Sequence, residues 1–172
     1  MHWVCSWEAS REKLEKGKER RARQPLGSVH LDPIGPFSTP SYGGSRYVLT
    51  FIDNYFRLGW VYFLKLKSEV FEHLNIWKEL VENQSGNKIK VLRTDNGKDY
   101  VNKNLLYLCE ECGIQMQFST PYTPQQNGVA EWKNRSLKEI ATCMIEARDL
   151  SPKLWVEAIN SSTHIQNRSF YK

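Results

Sequence analysis

This sequence has no long apolar run. No stretch reaches the roughly 20 consecutive apolar residues that a membrane span needs. The first 24 residues lack the apolar centre of a secretory leader. A membrane protein and a secreted one are therefore both unexpected. Cysteine is scarce, with Cys5, Cys109, Cys112 and Cys143 the four present in 172 residues. A chain of this size needs no disulfide scaffold, so a reducing compartment is the default. Cys109 and Cys112 have the spacing of half a zinc site, but no second pair or paired histidines complete it, and both are expected in or near a helix. Internal repeats and low-complexity segments are missing too. The net charge is only +5, and it is uneven: residues 1–25 hold seven Lys/Arg against four Asp/Glu, the other 147 seventeen against fifteen. A basic, disordered tail is expected over 1–25, whose Arg20-Arg21-Ala22-Arg23 could contact DNA or direct nuclear import. Residues 26–172 form a mildly basic body that binds a polyanion, if at all, through a local patch.

At 40% apolar residues, that body can build one core and little more. Residues 26–34 alternate around Val29 and Leu31 and stop at Pro33, which predicts a short strand with Asp32 near its end. Residues 46–53 are β-formers on both faces, as expected of a strand inside a covered sheet. A short polar turn leads back through residues 60–64, so the three strands should form an antiparallel meander. Ser68 is expected to cap a helix reaching about Asn83, with Phe71, Leu74, Ile76, Trp77, Leu80 and Val81 mainly on one side. A strand over residues 89–95 follows that crossover and should lie parallel to the first. Next come a short helix at 102–112, an alternating strand at 114–118, a proline-bounded loop, and helices near 129–147 and 152–168. The order β-β-β-α-β-α-β-α-α makes an α/β domain, a five-stranded mixed sheet flanked by helices, and is the order of the ribonuclease H-like fold.

Three acids stand out by position: Asp32 on the first strand, Asp95 at the end of the fourth, and Glu131 in the first turn of a helix. Carboxylates gathered within about 4 Å repel by about 1 kcal/mol even in water. A hard divalent cation relieves that repulsion and leaves positions for water and phosphate oxygens. Two such ions suit phosphodiester chemistry. Each acid also has an ordinary reading, as a turn former before Asn96-Gly97 or as a complement to the helix dipole. On a helical wheel Asn134, Arg135 and Lys138 lie on the Glu131 side, where they could meet a phosphate backbone, and Leu137, Ile140 and Met144 lie away from it and can face the core.

His30-Leu31-Asp32-Pro33-Ile34-Gly35-Pro36, Tyr47-Val48-Leu49-Thr50-Phe51-Ile52-Asp53, Leu92-Arg93-Thr94-Asp95-Asn96-Gly97 and Pro121-Tyr122-Thr123-Pro124-Gln125-Gln126-Asn127-Gly128-Val129-Ala130-Glu131, in that order, resemble the integrase core of copia-type retrotransposon Pol polyproteins. Leu154-Trp155-Val156-Glu157-Ala158-Ile159-Asn160 and Asn167-Arg168 continue the likeness. The resemblance implies that Asp32, Asp95 and Glu131 are the metal-binding catalytic triad, holding two Mg²⁺ or Mn²⁺ ions. It implies 3′-end processing of element DNA by water and strand transfer of the new 3′-hydroxyl into target DNA. It further implies DNA as partner, a homodimer, no small-molecule substrate, and a nuclear location with passage through the cytoplasm. Tyr122, Gln125 and Asn127, in the loop beside the site, join Asn134, Arg135 and Lys138 as expected DNA contacts. Asp53 matches a structural or supporting acid of the family rather than a triad member.

The sequence departs from that pattern upstream, where only His2 and Cys5 stand in place of a four-ligand zinc domain, so no zinc is expected. Trp132 follows the glutamate where an arginine is common, and Asn54 and Phe56 replace an acid and a serine. Together these suggest a truncated copy. Two rival readings stay open: a catalytically silent remnant that binds nucleic acid or other proteins, and a ribonuclease H or related nuclease on the same fold.

Overall fold

A computed structural model describes residues 21–94, 101–118 and 128–169 of the chain. Strand β1 (Val29–Ile34), β2 (Tyr47–Asp53) and β3 (Gly59–Leu64) are followed by helix α1 (Val70–Ser85), β4 (Val91–Thr94), α2 (Lys103–Cys112), β5 (Gln115–Phe118), α3 (Gly128–Glu146) and α4 (Trp155–Ser169). The sheet order is β3-β2-β1-β4-β5. The meander is antiparallel, with Asp32 level with Thr50 and Phe51 level with Trp60. β4 lies parallel to β1, with Leu31 level with Thr94, and β5 lies parallel to β4. The expected mixed sheet is present, and β1 is its central strand.

Alternation along β1 and β2 divides the core into two layers. Val29, Leu31, Leu49 and Phe51 face one side, where α1 brings Leu74, Trp77 and Val81 and α2 brings Leu105 and Cys109. Phe51 stacks flat on Trp77, ring centres 4.2 Å apart, and Trp60 meets the same indole edge-on at 5.5 Å. On the other side Val48 packs with Ala141 of α3 and with Trp155, Ala158 and Ile159 of α4. Trp155 stacks on Phe37 at 4.3 Å, and its indole N–H donates to the Thr39 carbonyl at 3.0 Å. This second layer also buries His30, Thr50, Lys133, Asn134, Ser162, Thr163 and Gln166. Ser162 and Thr163 satisfy their hydroxyls on the carbonyls of Ala158 and Ile159 one turn back, at 2.7 and 2.8 Å.

Three expectations about local structure need correction. Ser68 caps nothing: it sits inside a short 3₁₀ turn, Lys67–Glu69, that precedes α1. The Glu69 carboxylate instead reaches back to accept from the Lys65 and Leu66 N–H groups at 3.1 and 3.2 Å, because an acid at the third position can span to the start of the turn. Strand β5 does not alternate in burial: Met116 and Gln117 are both half-buried, and Phe118 is exposed. It is an edge strand with one neighbour, so neither of its faces is fully covered. Ile140 and Met144 do not enter the core. Both are half-buried and line a surface groove with Cys143 and Ala147.

Candidate functional site

Asp32 is the fourth of the six residues of the central strand, just past the end of its pairing with β4. Leu31 belongs to the α1–α2 layer, so Asp32, one residue on, points to the opposite face, where α3 lies. Its backbone carbonyl accepts from the Thr50 hydroxyl on β2 at 3.1 Å, and its side chain is half-buried. Among the described residues, the parallel β1–β4 pairing ends at Leu31 and Thr94. Asp95 is the next residue in the chain and lies outside the described residues, as do Tyr122, Gln125 and Asn127.

Helix α3 buries Ala130, Lys133, Asn134, Leu137 and Ala141. That is a stripe at the three-and-four spacing of one helical face, and it is turned toward the Glu131 side relative to the face expected from Leu137, Ile140 and Met144. Glu131, Trp132, Arg135 and Lys138 remain exposed. Asn134 is thus carried inward, where its amide Nδ2 donates to Oδ2 of Asp32 at 2.6 Å, joining residues 102 apart in sequence. Its own Oδ1 is buried with no hydrogen-bond partner among the described residues. The contact sets the first half of α3 against β1 at Asp32. Of the residues expected to touch DNA, the structure turns Asn134 to the acid and leaves Arg135 and Lys138 outside. The Lys138 ammonium lies 5.8 Å from the centre of the Phe37 ring.

Lys133 is the residue that sequence reasoning passed over. It is 1% exposed, in a stripe where an apolar side chain is the rule. Its ammonium donates to the Arg57 carbonyl in the β2–β3 turn and to Oδ1 of Asn167 on α4, the latter at 3.3 Å. Burial first, and then the Arg57 charge, push its pKa from 10.5 down to about 8. Asn167 pairs with both backbone groups of Gly59, accepting from its N–H at 2.9 Å and donating to its carbonyl at 2.7 Å. The signal was available in the sequence: a wheel drawn through Ala130, Leu137 and Ala141 places Lys133 and Asn134 on the buried side.

Asp53 has the supporting part expected of it. It is 1% exposed, and its carboxylate accepts from the Leu26 N–H at 3.1 Å and the Phe56 N–H at 2.8 Å. Its backbone closes the same turn, accepting from the Arg57 N–H at 2.8 Å and donating to the Leu58 carbonyl at 2.9 Å. Cys109 is buried in α2 and Cys112 is exposed. Burial, then the nearby Cys112 and Glu110, raise the Cys109 thiol to about 11. No cluster of three metal-ligating side chains occurs among the described residues, which leave out Asp95. The donors that are described are of the type a hard cation takes: Asp32 and Glu131 carry carboxylate oxygens, and Oδ1 of Asn134 is a buried oxygen without a hydrogen-bond partner among the described residues.

Residues 22–124 match the family described as Integrase core domain. Among curated proteins, the chain is 40% identical over 144 residues to the retrovirus-related Pol polyprotein from transposon TNT 1-94 of Nicotiana tabacum. It is 32% identical over 147 residues to the Pol polyprotein from transposon RE2 of Arabidopsis thaliana. Each alignment takes 84% of this chain and 11% or 10% of the polyprotein, so the chain spans about a tenth of the length of these relatives. Among solved structures, a chain of the simian T-cell lymphotropic virus intasome, in complex with PP2A regulatory subunit B56 gamma, superposes with a TM-score of 0.66 at 19% identity, covering 86% of this chain and 50% of that one. The dimeric HTLV-2 integrase catalytic core domain, solved in complex with magnesium, superposes with a TM-score of 0.60 at 16% identity, covering 83% of this chain and 87% of that one. Retroviral integrase cores have the ribonuclease H-like fold, and this chain shares it.

Proposed function

From a chain that belongs to the integrase core domain family, we propose a catalytic core that cuts and joins DNA strands, processing the 3′ ends of element DNA and transferring them into target DNA. The observation that carries this reading is the bond from Asn134 to Asp32, which sets the helix bearing Glu131 against the central strand at Asp32. The register that brings Leu31 level with Thr94 supports Asp95 as the third member, since the two aspartates follow those residues in the chain. Asp32, Asp95 and Glu131 would hold Mg²⁺ or Mn²⁺, two ions in the working site. Bound there, the metal supplies an activated oxygen nucleophile and charge stabilisation at the leaving oxygen.

This chain's own residues do the positioning. Thr50 holds the Asp32 backbone through its carbonyl, and Asn134 donates to one oxygen of its carboxylate and so fixes the orientation of the acid. Asn134 occupies one lone pair of the acid without neutralising its charge. Arg135 and Lys138, exposed on the next turn, attract the DNA backbone. Both reactions are in-line attacks on phosphorus, with water or a 3′-hydroxyl as nucleophile, so one site serves both. Tyr122, Gln125 and Asn127 complete the DNA contacts, a second copy of the chain completes a dimer, and the nucleus is the place of action.

The test is reversal of strand transfer on branched DNA, in Mg²⁺ and then Mn²⁺, with Glu131→Gln beside the parent. Metal-dependent resolution that the substitution abolishes supports the reading. A folded domain that binds DNA but resolves nothing in either metal would refute it and favour the silent remnant, with the exposed Trp132 beside Glu131 the first residue to restore to arginine. Cleavage of RNA in a hybrid duplex would point to a nuclease instead.

A further inference from the structure

We propose that Lys133 is a positioning residue: its buried ammonium bolts the first turns of α3 to the β2–β3 turn and to α4, and so sets where Glu131 and Asn134 stand relative to Asp32. The proposal rests on the reading of Asp32 and Glu131 given above.

Lys133 lies between Glu131 and Asn134 within a single helical turn, so whatever fixes its side chain fixes the rotation of the helix that carries both. A lysine in this stripe is costly to bury, and the surroundings are built to take it. Arg57 stands at a φ of 63° in the turn, a conformation that few residues with side chains adopt, and its carbonyl receives the ammonium. That turn is itself closed by Asp53 through both backbone and carboxylate. Asn167 receives the ammonium from the other side while its amide grips Gly59. Gly59 leaves the slot for the lysine stem: a Cβ there would lie 2.8 Å from Lys133 Cε and 3.1 Å from Nζ. Three separate elements are therefore shaped around one side chain, two residues from the proposed catalytic glutamate and one from the amide that holds Asp32.

A purely apolar residue would fill the stripe but fix no rotation. A donor with two acceptors, on a turn and on a helix, does fix it, and displacements of about 1 Å at a reacting centre cost on the order of 100-fold in rate.

Two substitutions test this without touching the acids. Gly59→Ala pushes the lysine aside from a distance of 74 residues in sequence, and its clash is with the end of a flexible side chain, so the fold should survive. Lys133→Met keeps the length of the stem and removes the donor. The readout is the side-chain amide of Asn134 in an ¹⁵N-resolved NMR spectrum, shifted to low field by its short bond to Asp32. In both variants that signal should move toward the position of a free amide while the backbone spectrum stays dispersed. The turnover of branched DNA should fall at least ten-fold, with KM for the DNA unchanged. If the amide signal keeps its parental position in either folded variant, the proposal is wrong. It is also wrong if both variants unfold, since Lys133 would then be a residue of general stability. An inactive parent domain whose amide still responds would sink the catalytic reading and leave the positioning role standing.

Discussion

Replacing Asp53 with alanine should unfold the turn that the rest of the site leans on, and do so without any direct part in catalysis. The carboxylate is buried and accepts two backbone N–H groups, that of Leu26 at 3.1 Å and that of Phe56 at 2.8 Å. Hydrogen bonds to a charged group contribute about 1.5–3 kcal/mol each. Against their loss stands the relief of removing a buried charge, worth several kcal/mol if it were unpaired but less here, where two donors already solvate it. A net destabilisation of about 3 kcal/mol results, a large share of the roughly 5–15 kcal/mol that holds a domain together. Asp53→Asn keeps one acceptor oxygen and turns an amide against the other N–H, so about half that loss is expected. With a urea slope of about 2 kcal/mol/M, the alanine variant should shift the unfolding midpoint down by about 1.5 M and the asparagine variant by roughly half as much. Both should retain metal-dependent DNA chemistry at a temperature where they are folded. An Asp53→Ala protein of parental stability that has lost that chemistry, as Glu131→Gln is expected to, would refute the assignment of Asp53 to the scaffold.

Asn134→Ala should lower turnover of branched DNA about 10- to 100-fold, the usual cost of losing a partner that orients a metal ligand, while Asn134→Asp should do worse by setting a second charge against Asp32. Arg135→Ala and Lys138→Ala should each weaken DNA binding about equally for all sequences and reduce the slope of log K against log salt by about one, measured by fluorescence anisotropy from 50 to 200 mM salt. Cys109 makes stability fall as pH rises from about 9 to about 11, because the unfolded thiol ionises over that range and the folded one does not. The loss is at most about 3 kcal/mol, and urea unfolding of Cys109→Ala should lack it. Lys133, lowered to about 8, gives a slope of opposite sign over an overlapping range, so the difference between parent and variant is the quantity that reads Cys109.

The sheet was legible because its strands are encoded locally. Val29 and Leu31 alternate, residues 47–53 are apolar on both faces, and the turns between them are short, so order and direction follow from pattern and connection length. Gly86 and Gly113, in the left-handed region, end α1 and α2. The site was only partly legible. Asp32 and Glu131 could be picked out by position and by resemblance, but Asn134 and Lys133 are polar residues on a helix that is exposed along much of its length, and polarity suggested solvent. Their partners lie 102, 76 and 34 residues away, at Asp32, Arg57 and Asn167. No local pattern encodes such pairings. Ile140 and Met144 misled in the opposite sense, since apolar character alone does not say which of two adjacent stripes meets the sheet.

The bonds that close the site also set the order in which it can be made. The β1–β3 meander, residues 29–64, and the α3–α4 pair, residues 128–169, are each held by contacts between neighbours in the chain, and such contacts form early and fast. Asp32 lies in the first unit and Glu131 and Asn134 in the second, and the pin between them, Asn167 with Gly59 and Lys133, uses one of the last described residues of α4. During synthesis, then, the meander leaves the ribosome long before anything can complete the acidic centre. The proposed site is therefore assembled only after α4 has emerged and docked, when Asn167 can take up Gly59 and Lys133.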